Sequence, residues 1–192
     1  MTCLCAWCDE SIRFLGPDAP AYLLGASVLE PTDTDAIRDA LRALHRSGRK
    51  LHWHDLDRSR RRAVTEVVVR ARAVHIVVVA RRIDLRRQER ARARCLERLG
   101  WELGRLGVRR LTLESRAAAL DARDRRTVDA ARVRRAFPPG LRVEHGAPEA
   151  DALLWLPDQV LGIVGRTLAA DGDTSALALV VEVVEPLADG SA

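Results

Sequence analysis

Apolar and polar positions switch between two periods along this chain, and the switches mark its elements. Residues Cys3 to Cys8 are apolar on both sides of a two-residue repeat, with Cys3, Cys5, Trp7 and Asp9 on one face and Leu4, Ala6 and Cys8 on the other. Such a strand belongs at the centre of a sheet, with Asp9 at its end. Gly16, Pro17 and Pro20 punctuate a turn before a second apolar strand, Tyr22 to Leu29, so the two read as an antiparallel pair. Thr34, flanked by Asp33 and Asp35, caps a helix that buries Ile37, Leu41 and Leu44 and ends near Gly48. Leu51 to Leu56 is a short irregular segment; a helix from about Asp57 to Arg72 and a buried strand from Val74 to Val79 follow.

The second half alternates more regularly. Leu85, Leu96, Leu99, Leu103 and Leu106 mark a long amphipathic helix that stops at Gly107, and Val108 to Leu113 is the next strand. A basic helix from about Asp124 to Ala136 is broken by Pro138-Pro139-Gly140, then come a strand from Leu141 to Glu144 and a helix from about Ala150 to Ala169. Right-handed crossovers make such strands parallel neighbours. A last apolar run, Ala176 to Val184, adds an edge strand. No repeat or linker interrupts the pattern, so residues 1–192 are expected to form a single α/β domain.

Composition narrows the class. A chain of 192 residues, 47% hydrophobic and 31% charged, buries roughly 70% of its unfolded surface and needs neither disulfide nor structural metal to fold. No apolar run approaches the ~18 residues of a membrane span, and no basic segment precedes the first apolar run, so a soluble, cytoplasmic protein without a membrane partner is expected. Cys3, Cys5 and Cys8 lack a second ligand pair at knuckle spacing, which favours core thiols over a zinc site.

The formal net charge is +5, and Lys50 is the only lysine. The arginines gather in two stripes, Arg58 with Arg60, Arg61 and Arg62, and Arg81 through Arg94. One reading is a footprint for nucleic-acid backbone, with Arg86, Arg87, Arg90 and Arg116 as phosphate contacts. The other is a solvated face offset by Asp57, Glu66, Asp84, Glu89, Glu97 and Glu102.

Three acids stand where parallel strands and a helix would deliver them to one edge. Asp9 ends the first strand, Glu114 follows Leu113, and Asp158 lies inside the apolar helix Leu-Leu-Trp-Leu-Pro-Asp-Gln-Val-Leu-Gly. Ligands bind at the carboxyl ends of strands in open α/β sheets. A buried ionised acid in an apolar helix needs a cation or donors, and Gly162 and Gly165 give that helix a smooth face for lying close to the sheet. Pro157 starts or kinks it there. Such a set suits one or two hard divalent cations, Mg2+ or Mn2+, in phosphodiester cleavage. Each acid also has a plainer role: Asp9 with Glu10 in a turn, Glu114 paired with Arg116, and Asp158 at a helix N-terminus.

Cys8-Asp9-Glu10-Ser11, the strand Tyr22 to Val28, the segment Leu111-Thr112-Leu113-Glu114-Ser115-Arg116 and the helix motif Leu156-Pro157-Asp158-Gln159-Val160-Leu161-Gly162 resemble a bacterial family of uncharacterised function in the ribonuclease H-like superfamily. That family opens with a strand ending in Asp-Glu-Ser-Gly. Ile12 stands where its glycine is typical, and Glu114 replaces a commoner aspartate. The resemblance spans roughly residues 3 to 169 and implies a mixed sheet of order 3-2-1-4-5 flanked by helices, in which the strands bearing Asp9 and Glu114 are neighbours. It implies a metal-dependent nuclease or related phosphoryl-transfer enzyme with Asp9, Glu114 and Asp158 as metal ligands and catalytic acids. Asp124 or Asp121 is the expected fourth acid, with Asp55 in reserve. His52 and His54, on either side of Trp53, are candidates for proton transfer or phosphate contact, or for simple packing around the indole. The alternative is a non-catalytic nucleic-acid- or protein-binding module on the same fold.

Overall fold

A computed structural model describes residues 3–45 and 49–183. Strand β1 (Cys5–Phe14) pairs antiparallel with β2 (Pro20–Leu29), which pairs antiparallel with β3 (Val74–Arg81). On the other side of β1 lie β4 (Arg110–Glu114) and β5 (Arg142–Gly146), both parallel to it, and β6 (Leu179–Val183) runs parallel beside β3. The six-stranded order is β5-β4-β1-β2-β3-β6. It contains the expected 3-2-1-4-5 arrangement with the extra edge strand; Val184, the last residue of the expected run, lies outside the described residues.

Helices cover both faces. Helices α1 (Thr34–Leu44), α2 (Arg58–Arg70) and α5 (Trp155–Ala169) share one apolar cluster with Cys5, Trp7, Leu23, Val77 and Val79. Helices α3 (Gln88–Arg105) and α4 (Ala118–Val133) share the other with Ala6, Cys8, Leu24, Ile76 and Val78. Odd and even positions of β1 thus feed opposite cores, which the two-sided apolar pattern requires. No helix among the described residues is long and apolar enough to cross a membrane.

Several boundaries differ from the sequence reading for identifiable reasons. Strand β1 continues to Phe14, because Glu10 through Phe14 keep antiparallel register with β2 after the pairing with β4 has ended at Cys8 and Leu113. Asp9 is therefore mid-strand, at the point where the parallel neighbour stops. Helix α4 begins six residues before Asp124, without a side-chain cap to announce it. Thr34 is already helical, and its hydroxyl donates to Pro31 O at 2.8 Å instead of capping. The end expected near Gly48 lies outside the described residues. Pro157 falls in the first turn of α5, where a missing N–H costs no helical bond. Gly107 adopts φ 74° as α3 ends, a left-handed position that suits glycine.

Two devices seat α5 on the sheet. Asp151 accepts from Leu153 N just before the helix and also from Trp7 Nε1 of β1 at 2.8 Å, tying the helix start to the central strand. A Cβ on Gly25 of β2 would stand 2.8 Å from Leu161, so the bare backbone there lets α5 approach.

Candidate active site

Consecutive residues of β1 point to opposite sides of the sheet, and Asp9 points toward α5. Leu111 and Leu113 face the other core, so Glu114, the last residue of β4, shares the side of Asp9. Asp158 enters from the first turn of α5. The three acids line one pocket of about 440 Å³, together with Lys50, His52, His54 and Arg116.

Lys50 organises that pocket. Its Nζ donates to Asp9 Oδ2 and to Glu114 Oε2, each at 2.6 Å, with the ammonium and the Asp9 carboxylate both buried. Asp158 Oδ2 accepts from the backbone N of Trp53 at 2.9 Å and from Gln159 Nε2 at 3.2 Å. Gln159 Nε2 also donates to Leu51 O at 2.6 Å, so α5 and the 51–56 segment are clasped around the acids. The remaining oxygen of Asp9 accepts from Glu10 N at 2.8 Å.

Burial pushes the Glu114 carboxyl up to about 7; the Asp9 charge adds to the shift and Lys50 opposes it. Burial likewise raises Asp158, against the pull of Lys50. For Lys50, burial disfavours the ammonium, but Asp9, Asp158 and Glu114 together overcome it and hold the amine above its usual range. Three acids crowded in low dielectric thus require one cation among them.

Lys50 had no assigned role in the sequence reading. The available signal was its uniqueness as the one lysine in a chain that otherwise uses arginine, a compact ammonium where every other basic side chain of that kind is a planar guanidinium. His52 is half-buried at the pocket wall, and His54 is exposed, 3.1 Å from Asp55. Their rings lie 5.3 Å apart. The indole of Trp53 between them is buried against Gly162, where a Cβ would stand 2.1 Å from the ring. The smooth face of α5 therefore receives the 51–56 segment, which brings the Trp53 N–H to Asp158.

Asp124 lies outside the pocket lining, in a second network on the opposite side of the sheet. Arg92, buried at 2% exposure, donates from Nε and Nη2 to the two oxygens of Asp124 at 2.8 and 2.7 Å, and from Nη1 to Glu10 and to the Tyr22 hydroxyl. Arg116 Nη2 adds a bond to Asp124 at 3.1 Å, and His145 Nε2 stands 3.4 Å from it. Burial disfavours the Asp124 carboxylate, yet Arg92 and His145 hold it well below the usual range. Asp121 accepts from Arg116 N at 2.8 Å. Ligand atoms of Asp121, Asp124 and His145 lie within 4.8 Å of one another, but arginine donors occupy Asp124. Arg116 also pairs with Glu89 at 2.6 Å. Arg86 and Arg87 occupy the turn before α3, and neither they nor Arg90 line the carboxylate pocket.

No family model and no curated protein matches this chain. Solved structures similar to it include two ribonucleases. One is ribonuclease HII from Archaeoglobus fulgidus, solved in complex with PCNA, at 14% identity over 93% of this chain and 82% of that one, with a TM-score of 0.51. The other is ribonuclease H2 from Pyrococcus horikoshii, at 13% identity over 88% and 74%, with a TM-score of 0.57. The chain has the ribonuclease H-like fold. Within that fold, the neighbouring strands β1 and β4 and the helix α5 deliver the three acids of the pocket.

Proposed function

We propose that this protein is a divalent-metal-dependent nuclease, or a related phosphoryl-transfer enzyme acting on nucleic acid, of the uncharacterised bacterial family that its motifs resemble. The observation that carries the reading is the meeting of Asp9, Glu114 and Asp158, from three separate elements, around a single cation position filled by Lys50. The donors are hard carboxylate oxygens, which suit Mg2+ or Mn2+. Asp9, Glu114 and Asp158 would hold the ion, and Trp53 N and Gln159 keep Asp158 oriented. A bound divalent ion would activate water for attack at phosphorus and offset charge on the leaving oxygen. His52 and His54 stand at the wall where a proton could be accepted or returned.

A second reading, a nucleic-acid-binding module without turnover, is favoured by one feature: Lys50 already neutralises the cluster. The two separate in a cleavage assay on mixed RNA, DNA and hybrid substrates. The nuclease reading expects cleavage that needs Mg2+ or Mn2+ and stops with chelator. It also expects Asp158→Asn to lose all turnover while its metal-free stability is unchanged or raised, since a repelling buried charge has gone. Full activity in Asp158→Asn removes that residue from the site; binding without cleavage by wild type supports the module.

A further inference from the structure

Helices α2 and α5 enclose a groove of about 760 Å³ beside the carboxylate pocket. Arg58, Arg61 and Arg62 line it from α2, Arg166 and Thr167 from α5, and Trp53 forms its floor; no carboxylate is among its lining residues. Four guanidinium groups share this groove, and the only acid paired with any of them among the described residues is Glu66, 3.5 Å from Arg62 on an exposed face. The Arg61 guanidinium sits 5.4 Å over the Trp53 ring, and its Nε is buried without a hydrogen-bond partner. The buried Arg92 and the half-buried Arg116, by contrast, are taken up by acids. Like charges facing one groove repel one another, and an anion with several charges relieves that repulsion.

The groove and the pocket are joined. Trp53 floors the first, and its backbone N–H holds Asp158 in the second. Asp158, Gly162 and Arg166 follow at i, i+4 and i+8 along one stripe of α5, which places Arg166 about 12 Å along the helix from Asp158. Guanidinium forks match phosphate oxygens.

We propose, resting on the nuclease reading, that this groove is the track for the phosphodiester backbone of one nucleic-acid strand, leading it past Trp53 into the carboxylate pocket. Recognition there is independent of base sequence. It places the main electrostatic contact on α2 and α5, away from the turn that carries Arg86 and Arg87.

The test is fluorescence anisotropy of a labelled 20-nucleotide single strand in chelator across a salt series. Arg58→Gln/Arg61→Gln/Arg166→Gln is expected to weaken binding at least tenfold and to flatten the log-log salt slope by about two, given roughly 0.7 per phosphate contact on a single strand. Should loss of the Arg61 stacking unfold that variant, the exposed pair Arg58→Glu/Arg62→Glu gives the same readout. Unchanged affinity and slope in the folded variants, with the loss appearing in Arg86→Gln/Arg87→Gln, would overturn the proposal. So would displacement of the strand by polyglutamate at equal affinity, which assigns the groove to acidic protein segments. Manganese titration of the same variants separates the two readings: a failed groove leaves metal binding intact, whereas a failed nuclease reading shows no metal binding in wild type.

Discussion

Replacing Lys50 by methionine is expected to lower the melting temperature of the metal-free protein by about 10 °C and to make it far more responsive to Mn2+. Asp9, Glu114 and Asp158 tolerate one another because one buried ammonium sits between them. Removing one partner from a buried ionic cluster costs about 3–5 kcal/mol, because the remaining charges keep their desolvation penalty and lose the attraction that offset it. For a chain of this size each kcal/mol corresponds to roughly 2–4 °C. Protonation of Glu114, already pushed up to about 7, relieves part of the strain and keeps the loss from being larger. In wild type a divalent ion competes with Lys50 for Asp9 Oδ2 and Glu114 Oε2, whereas in Lys50→Met the same oxygens are open. Binding to the folded state alone then stabilises it in proportion to the logarithm of ion concentration. Thermal melts in chelator and at graded Mn2+ check both parts. A variant as stable as wild type in chelator, with no larger response to the ion, would contradict the role assigned to Lys50.

Asp124→Asn is expected to behave in the opposite way to Asp158→Asn. Both acids are buried, but Asp124 meets Arg92 through two bonds and Arg116 through a third. Neutralising it leaves the buried Arg92 held only by Glu10 and the Tyr22 hydroxyl, a loss of about 3–5 kcal/mol. Arg92→Met should cost a similar amount by stranding Asp124 and Glu10. The double variant Arg92→Met/Asp124→Asn should lose clearly less than the sum, since the second change removes a charge the first has left alone. Urea denaturation of the four proteins measures the coupling. Additive losses, or an Asp124→Asn as stable as wild type, would show that the network does not hold the α3–α4 side together.

The contrast between these acids explains what the chain disclosed before folding. Element order follows from local periodicity, whereas β1 beside β4, with Asp9 near Glu114, was legible only through the resemblance of the motifs to the ribonuclease H-like superfamily. The apolar helix around Asp158 was legible too, because an acid among Leu156, Val160 and Leu161 needs an explanation. The end of β1 was not, since Glu10 to Phe14 are held in the strand by register with β2 alone, and Asp9 with Glu10 also reads as a turn. Lys50 was hidden for a different reason: its partners are 41 and 64 residues away, and only the tertiary fold brings them together. Asp124 and Asp158 look alike as acids in helices, and what separates them is whether arginines or a lysine wait on the other side.

Calorimetric titration of Mn2+ into wild type and Asp9→Asn tests the central claim most directly. Asp9 lies on the central strand, donates no packing that asparagine would not keep, and shares Lys50 with Glu114. Wild type is expected to show saturable binding of one or two ions, and Asp9→Asn at least tenfold weaker binding with an unchanged circular dichroism spectrum. Identical isotherms for the two proteins, or no binding by wild type, would contradict a metal site built on Asp9, Glu114 and Asp158.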